Sequence, residues 1–304
     1  MNRLFVTGAG GFVGRHLAAA IKQGEFGRCE LFPAAATLDV RDADAVRQAV
    51  AEVRPDAVIH LAARSFVPES FTDPQGTFEV NLFGTLNLLQ ALKATEFRGR
   101  MLFVSSGDVY GRVPDDALPV TEARLPEPRS PYAVSKLSAE LLCAQWHRSE
   151  GLDVIIARPF NHIGPGQNEQ FVVPALASQV ASIAAGQQPA IIDAGDIDVT
   201  RDFTDVRDVV KAYAALLQHG RAGETYLIGS GRERSVRELL QMLMKLAAVD
   251  AEIRQDPSRL RPAEQRRMLA SITRIQEHTG WAPTISLETT LQNILDQFQD
   301  CTKK

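Results

Sequence analysis

The stretch Leu4-Phe-Val-Thr-Gly8-Ala-Gly-Gly11-Phe-Val-Gly14 decides the fold. Residues 4–6 read as a short apolar strand, glycines follow at once, and a helical pattern runs over 13–22. Glycines at such a junction let the backbone turn sharply and approach a pyrophosphate, which then lies at the positive end of the helix. Gly8, Gly11, Phe12, Val13 and Gly14 are therefore the candidate dinucleotide-binding turn. Tight strand-to-helix turns also select glycine on steric grounds alone, so the reading rests on what surrounds it.

Outward from that turn the alternation continues. Residues 30–32, 57–61, 101–104 and 154–157 read as strands, and 42–53, 77–94 and 131–150 as helices. The helix over 42–53 carries Val46, Val50 and Val53 at helical spacing, and the one at 131 opens with Ser130-Pro131. This βαβαβ rhythm implies an α/β fold, a Rossmann-like doubly wound parallel sheet with helices on both faces. After Arg158 the rhythm breaks in a Pro/Gly loop. Helices are expected at 173–185 and 205–219, a late strand at 225–228, and mostly helix from Ser235 onward. The expected division is a nucleotide-binding unit over 1–162, with 200–229 returning to it. A smaller, mostly helical substrate unit comprises 163–199 and 230–304.

Composition narrows the class without choosing it. The chain has 304 residues, 45% hydrophobic, with 33 Lys+Arg against 37 Asp+Glu for a net charge of −4. It is long enough for a full core or two. The balance lacks the basic face that nucleic acid or an anionic membrane requires, though it leaves room for a small anion held by local arginines. No apolar run approaches the roughly 20 residues of a membrane span, and Met1 leads into Arg3-Leu-Phe-Val without a signal-peptide pattern. Cys29, Cys143 and Cys301 have no metal-ligand spacing, so no metal is expected, and the usage fits a reducing compartment. The expectation is a soluble cytoplasmic protein.

Chemistry concentrates in Tyr132-Ala-Val-Ser-Lys136, where a phenol and an ammonium stand one helical turn apart. A phenol of pKa about 10 is a poor proton donor or acceptor near neutrality. A nearby cation stabilises the phenolate and brings it toward the working range. The pair follows Ser105-Ser106 at a strand end, which makes a catalytic role specific rather than incidental.

With these segments in view, the chain resembles the extended short-chain dehydrogenase/reductases, a family acting on nucleotide-sugars with NAD or NADP. Gly8-x-x-Gly11-x-x-Gly14 has that family's spacing. The resemblance implies that Asp39 and Val40 contact the adenine, although Asp39 also reads as a helix-capping acid before Arg41. It implies that Leu61, Ala62 and Ala63 line the cofactor's path, and that Asn81 belongs to the family's Asn-x-x-Gly-Thr segment. Ser106 takes the position whose hydroxyl polarises a substrate carbonyl, with Ser105 beside it, and Tyr132 and Lys136 serve catalysis and cofactor binding together. Asp108 stands where the family's 4,6-dehydratases carry a longer Glu acid/base, which weakens a dehydratase reading.

At the substrate end the resemblance assigns Asn161, Arg201, Arg261 and Glu264, with both arginines on a diphosphate, for which a planar guanidinium is well suited. Arg261-Pro-Ala-Glu264 resembles the segment of enzymes acting on GDP-sugars. The implied activity is reduction of the C4 ketone of GDP-4-dehydro-6-deoxy-D-mannose, with a GDP-mannose dehydratase or another nucleotide-sugar epimerase/dehydratase as the alternative. Phe32-Pro-Ala-Ala-Ala-Thr37 offers neither the acid typical of NAD enzymes nor an arginine, so the choice between NAD and NADP stays open. The family's subunits pair through two long helices, implying a homodimer or higher homo-oligomer. Outside the family segments, His162 and Trp281 read as packing anchors and Arg266-Arg267 as a solvated or partner-facing charge pair.

Overall fold

The computed structural model describes residues 2–256 and 265–302. Six parallel strands form its central sheet: β1 (Arg3–Thr7), β2 (Glu30–Pro33), β3 (Ala57–His60), β4 (Arg100–Val104), β5 (Asp153–Pro159) and, much later, β9 (Thr225–Ile228). Their spatial order is β2-β1-β3-β4-β5-β9. The chain leaves β1 for β2 on one side and returns to β3 on the other. That reversal opens a crevice at the carboxyl ends of the strands, where this class of sheet binds ligands.

Both faces of the sheet are covered, and successive side chains are shared between them. Leu4, Val6, Leu102, Ile155 and Ala157 pack with α1 (Phe12–Lys22), α8 (Val206–His219) and α10 (Thr273–Thr279). Phe5, Met101, Phe103, Val154 and Ile156 pack with α2 (Ala43–Val53), α5 (Gly84–Ala94) and α6 (Pro131–Glu150). Asp42 caps α2, accepting from the Asp44 and Ala45 amides.

The helix expected over 77–94 is longer and less regular. After a short α3 (Val67–Thr72), α4 (Pro74–Phe78) begins behind Asp73, whose carboxylate accepts from the Gly76 amide at 2.9 Å. A π-helical turn, Glu79–Phe83, then leads into α5. π-turns of this kind rotate one side chain out of helical register, commonly at functional sites. Here it is Asn81.

Five further strands were not evident from the apolar pattern. β6 (Asn161–Ile163), β8 (Thr200–Asp205) and β10 (Glu233–Ser235) form one small sheet, and β7 (Ile191–Ala194) with β11 (Glu252–Gln255) another. They are short, and β8 and β10 are polar in sequence. They share a second core with α7 (Val172–Ala184), α9 (Val236–Leu246) and α11 (Leu287–Thr302), built on Leu176, Val180, Leu239, Leu243 and Leu291. Among the described residues no helix is long and apolar enough to cross a membrane.

Candidate active site

One cleft of about 1680 Å³ runs from the glycine turn across the sheet edge to α7 and β7. Single-ligand pockets occupy roughly 300–1,000 Å³, so this one has room for two ligands end to end. The first end is set by steric necessity. Gly8 has φ +70°, and a Cβ there would lie 2.7 Å from the Ala62 amide nitrogen. No other residue fits. The Gly11 amide donates to the Gly8 carbonyl at 3.0 Å, and α1 starts with no side-chain cap and no acid in its first turn. Its amides face the cleft as an anion-binding end. Phe12, Val13, Gly14, Leu61, Ala62 and Ala63 complete this wall.

Behind the wall a buried relay fixes the strand ends. The Thr7 hydroxyl donates to His60 Nδ1 at 2.6 Å, and His60 Nε2 donates to Thr85 Oγ1 at 3.0 Å. Thr85 in turn donates to the Asn81 carbonyl at 2.7 Å, which selects that imidazole tautomer. Burial, with the Lys136 charge in the same direction, lowers His60 to about 3 and keeps it neutral.

At the middle of the cleft, α6 begins behind Ser130, whose hydroxyl accepts from the Ala133 amide at 3.1 Å. This cap places Tyr132 in the first turn and Lys136 in the next, both buried at the cleft wall. Ser106, two residues past β4, accepts from the Asp108 amide at 3.1 Å and stands close enough to the Tyr132 phenol to act on it. Burial pushes the phenol up, the Asp108 carboxylate adds to that, and Ser106 offsets part of it. The phenol is therefore held in its acid form. The lowering expected from the lysine cation does not appear, and burial sets the direction. Lys136 is itself lowered by burial to about 8, opposed by Glu140, and its Nζ lies 4.9 Å from the Phe103 ring centroid. Ser105 and Asp108 line the same stretch.

The third part is a loop tied to both lobes. Asn161 opens β6 and faces the cleft. Arg15, on α1, donates to the Gly166 carbonyl at 2.8 Å, His16 Nε2 donates to that of Pro165 at 2.8 Å, and Gln297 of α11 accepts from the Gly166 amide at 2.5 Å. His162 stacks on Phe12 and donates to the Phe160 carbonyl at 3.1 Å, as a loop anchor does. Of the acids around Arg201, Asp202 accepts from Ser230, Gly231 and Ala270, Asp205 from Arg207 and Thr290, and Asp208 from Thr284 and Ile285. They are braces, while Arg201 faces the cleft.

Some expected residues stand elsewhere. Asp39 turns to Arg41, with oxygens 2.6–3.0 Å from its guanidinium, and α2 is capped by Asp42 instead. Val40 packs beneath Gly84, where a Cβ would lie 2.6 Å from Val40 Cγ2. Asn81 is one layer back: its amide holds both backbone polar groups of Arg64 and the Ser135 hydroxyl, joining the cofactor wall to α6. Arg261 and Glu264 lie outside the described residues. Arg266 and Arg267 are solvent-exposed, as read, and each is ion-paired: Arg266 with Asp196, and Arg267 with Glu233 at 2.7 Å. Trp281 is a packing anchor, its indole donating to the Asp208 carbonyl at 3.0 Å.

Sequence reasoning missed the buried clamp on α6. Arg158 Nε and Nη2 donate to the two oxygens of Glu140 at 2.9 and 2.6 Å, and its Nη1 to the Tyr110 hydroxyl at 2.7 Å. The signal was present: an arginine closing an apolar strand, and an acid one turn beyond Lys136. Among the described residues no cluster of side chains could hold a metal ion.

A family model described as GDP-mannose 4,6 dehydratase matches residues 30–294. The GDP-6-deoxy-D-mannose reductase of Pseudomonas aeruginosa is 50% identical over 298 residues, covering 98% of this chain and 97% of that protein. The GDP-mannose 4,6-dehydratase of Yersinia enterocolitica is 30% identical over 281 residues, or 82% of this chain and 74% of that one. Among solved structures, RMD from Pseudomonas aeruginosa complexed with NADPH has a TM-score of 0.94 at 49% identity, covering 99% of this chain and 100% of that one. The dTDP-glucose 4,6-dehydratase DesIV from Streptomyces venezuelae, with NAD and TYD bound, has 0.87 at 28% identity over 98% and 97%. Likeness of that extent, on a sheet edge built as the family builds it, places the chain: it belongs to the GDP-mannose 4,6 dehydratase family, within the extended short-chain dehydrogenase/reductases.

Proposed function

We propose that the protein is an NADPH-dependent reductase that converts the C4 ketone of GDP-4-dehydro-6-deoxy-D-mannose to the alcohol, giving GDP-D-rhamnose. The observation that carries this is the 50% identity, end to end, with a GDP-6-deoxy-D-mannose reductase. The geometry fits a dinucleotide: the uncapped α1 terminus and the Gly8 turn accept a pyrophosphate. NADPH as the partner is supported by the relative solved with it and by β2, which ends in Pro33-Ala-Ala-Ala36 with no carboxylate to repel a 2′-phosphate.

NADPH, when bound, supplies the hydride that reduces the ketone. Tyr132, held in its acid form, gives its proton to O4 as negative charge develops there. Ser106 Oγ, already beside the phenol, donates to the same oxygen and stabilises it. Lys136 holds the nicotinamide ribose and keeps a positive charge near Tyr132. Asn161 and Arg201 orient the sugar and its diphosphate, and Asp108 orients a sugar hydroxyl. The cofactor unit comprises the central sheet with α1 to α6, α8 and α10, and the substrate unit comprises β6, β7, β8, β10 and β11 with α7, α9 and α11, so Thr200–Asp205 and Thr273–Thr279 fall on the opposite side from the division expected of the sequence.

A dehydratase is the second reading, favoured by the Asp108 carboxylate close enough to Tyr132 to raise it. Incubation with the keto sugar separates the two. One NADPH is consumed per sugar reduced, with the product identified by NMR; turnover without net consumption would overturn the reductase assignment.

We also infer a homodimer. Phe83, Val134 and Leu141 are 53%, 37% and 61% exposed on the paired helices at Glu79–Ala94 and α6, an apolar face that a second copy would cover. Sedimentation should give twice the chain mass; a monomer independent of concentration would remove this assignment.

A further inference from the structure

Tyr213 is fully buried in the cluster that packs α8 against the sheet, yet it lines the cleft, and among the described residues its hydroxyl has no hydrogen-bond partner. A phenol buried this way nearly always finds one. A phenylalanine would fill the same volume without an orphaned oxygen, which is destabilising when left unsatisfied. The oxygen therefore calls for a partner that the described chain does not supply.

Two observations locate that partner. Tyr213 on α8 and Tyr132 on α6 lie on opposite faces of the sheet and both line the cleft, and the charge of Tyr132 adds to the burial that raises the Tyr213 phenol. Ser105, at the end of β4, is likewise buried at the cleft with an unpartnered hydroxyl. Its amide donates to the Ala157 carbonyl, and Ala157 belongs to the cluster around Tyr213. Two orphaned hydroxyls thus line the same cleft, one just past β4 and one on α8. Tyr213 reaches the cleft from the cofactor side, because α8 packs on α1, whereas the sugar enters from the second lobe.

We propose that the Tyr213 hydroxyl, with Ser105 beside it, binds the carboxamide of the nicotinamide and so fixes the rotation of that ring beneath the substrate ketone. The proposal rests on the reading of the protein as an NADPH enzyme. The carboxamide is the one polar substituent of the nicotinamide ring, offering an acceptor and a donor to a hydroxyl at its edge. Tyr213 is a positioning residue in this scheme. It transfers no proton.

The test is Tyr213→Phe, titrated by fluorescence with NADPH and separately with 2′-phospho-ADP-ribose, which lacks the nicotinamide. The expected result is an about five- to tenfold weaker NADPH affinity, the size of one hydrogen bond, with the fragment bound as tightly as by wild type. The unliganded variant should melt no lower than wild type, since an unsatisfied buried hydroxyl has been removed. Unchanged NADPH affinity, or equal weakening of both ligands, would overturn the proposal. Wild-type protein that bound no NADPH would overturn it together with the reductase reading, and only the wild-type titration would show that failure.

Discussion

Tyr132→Phe should lower kcat for reduction of the keto sugar by about a hundredfold to ten-thousandfold while NADPH still binds. The phenol is the buried acid at the centre of the cleft, with Ser106 beside it. Phenylalanine keeps the ring and its packing and removes only the proton donor. The fold should not suffer, because the change deletes a polar atom from a buried position. Wild-type kcat/KM should also fall above about pH 8, as Lys136 gives up its proton in the free enzyme. Stopped-flow absorbance of NADPH measures the loss. A variant within tenfold of wild type would mean that another group delivers the proton.

The largest effect on stability is expected from Arg158→Met, which leaves Glu140 buried without its cation and Tyr110 without its donor. Breaking such a pair from one side costs about 3–5 kcal/mol. Replacing both partners by apolar residues is often neutral, so Arg158→Met with Glu140→Leu should recover most of the loss. Chemical denaturation of the wild type, the single variants and the double variant gives the coupling directly. Glu140 lies one turn beyond Lys136, so the single variants should also lose activity in proportion to the loosening of α6. A single Arg158→Met variant as stable as wild type would show that the pair contributes nothing net.

Much of this was legible because local chemistry and tertiary structure agree. Gly8 needs a positive φ and has no space for a Cβ, so glycine was informative there for two independent reasons. Ser130-Pro131 is a start signal, and α6 runs over 131–150 as its pattern implies. What stayed hidden depends on partners distant in sequence. The strand Thr200–Asp205 has no apolar alternation, because its acids are satisfied by amides from residues 230, 231 and 270 and by Thr290. Asn81 read as a cofactor contact, but the π-turn carries its amide behind the wall, to Arg64 and Ser135. Of the two readings of Asp39, the capping one fails: it pairs with Arg41, while the next acid caps the helix.

The sheet's last strand has a consequence for how the molecule is made. β9 closes the edge of β5, but the chain must first leave the sheet, lay down β6 through β8 and α7, and come back at Thr225. During synthesis the first five strands therefore emerge with β5 unpaired along one side, in a segment whose middle, residues 154–157, is wholly apolar. An open edge of that kind is a template for pairing with another nascent chain. The cofactor half cannot be completed by its own contiguous sequence, so on the ribosome its shielding waits for the first part of the substrate half, β6 through β8, to pass.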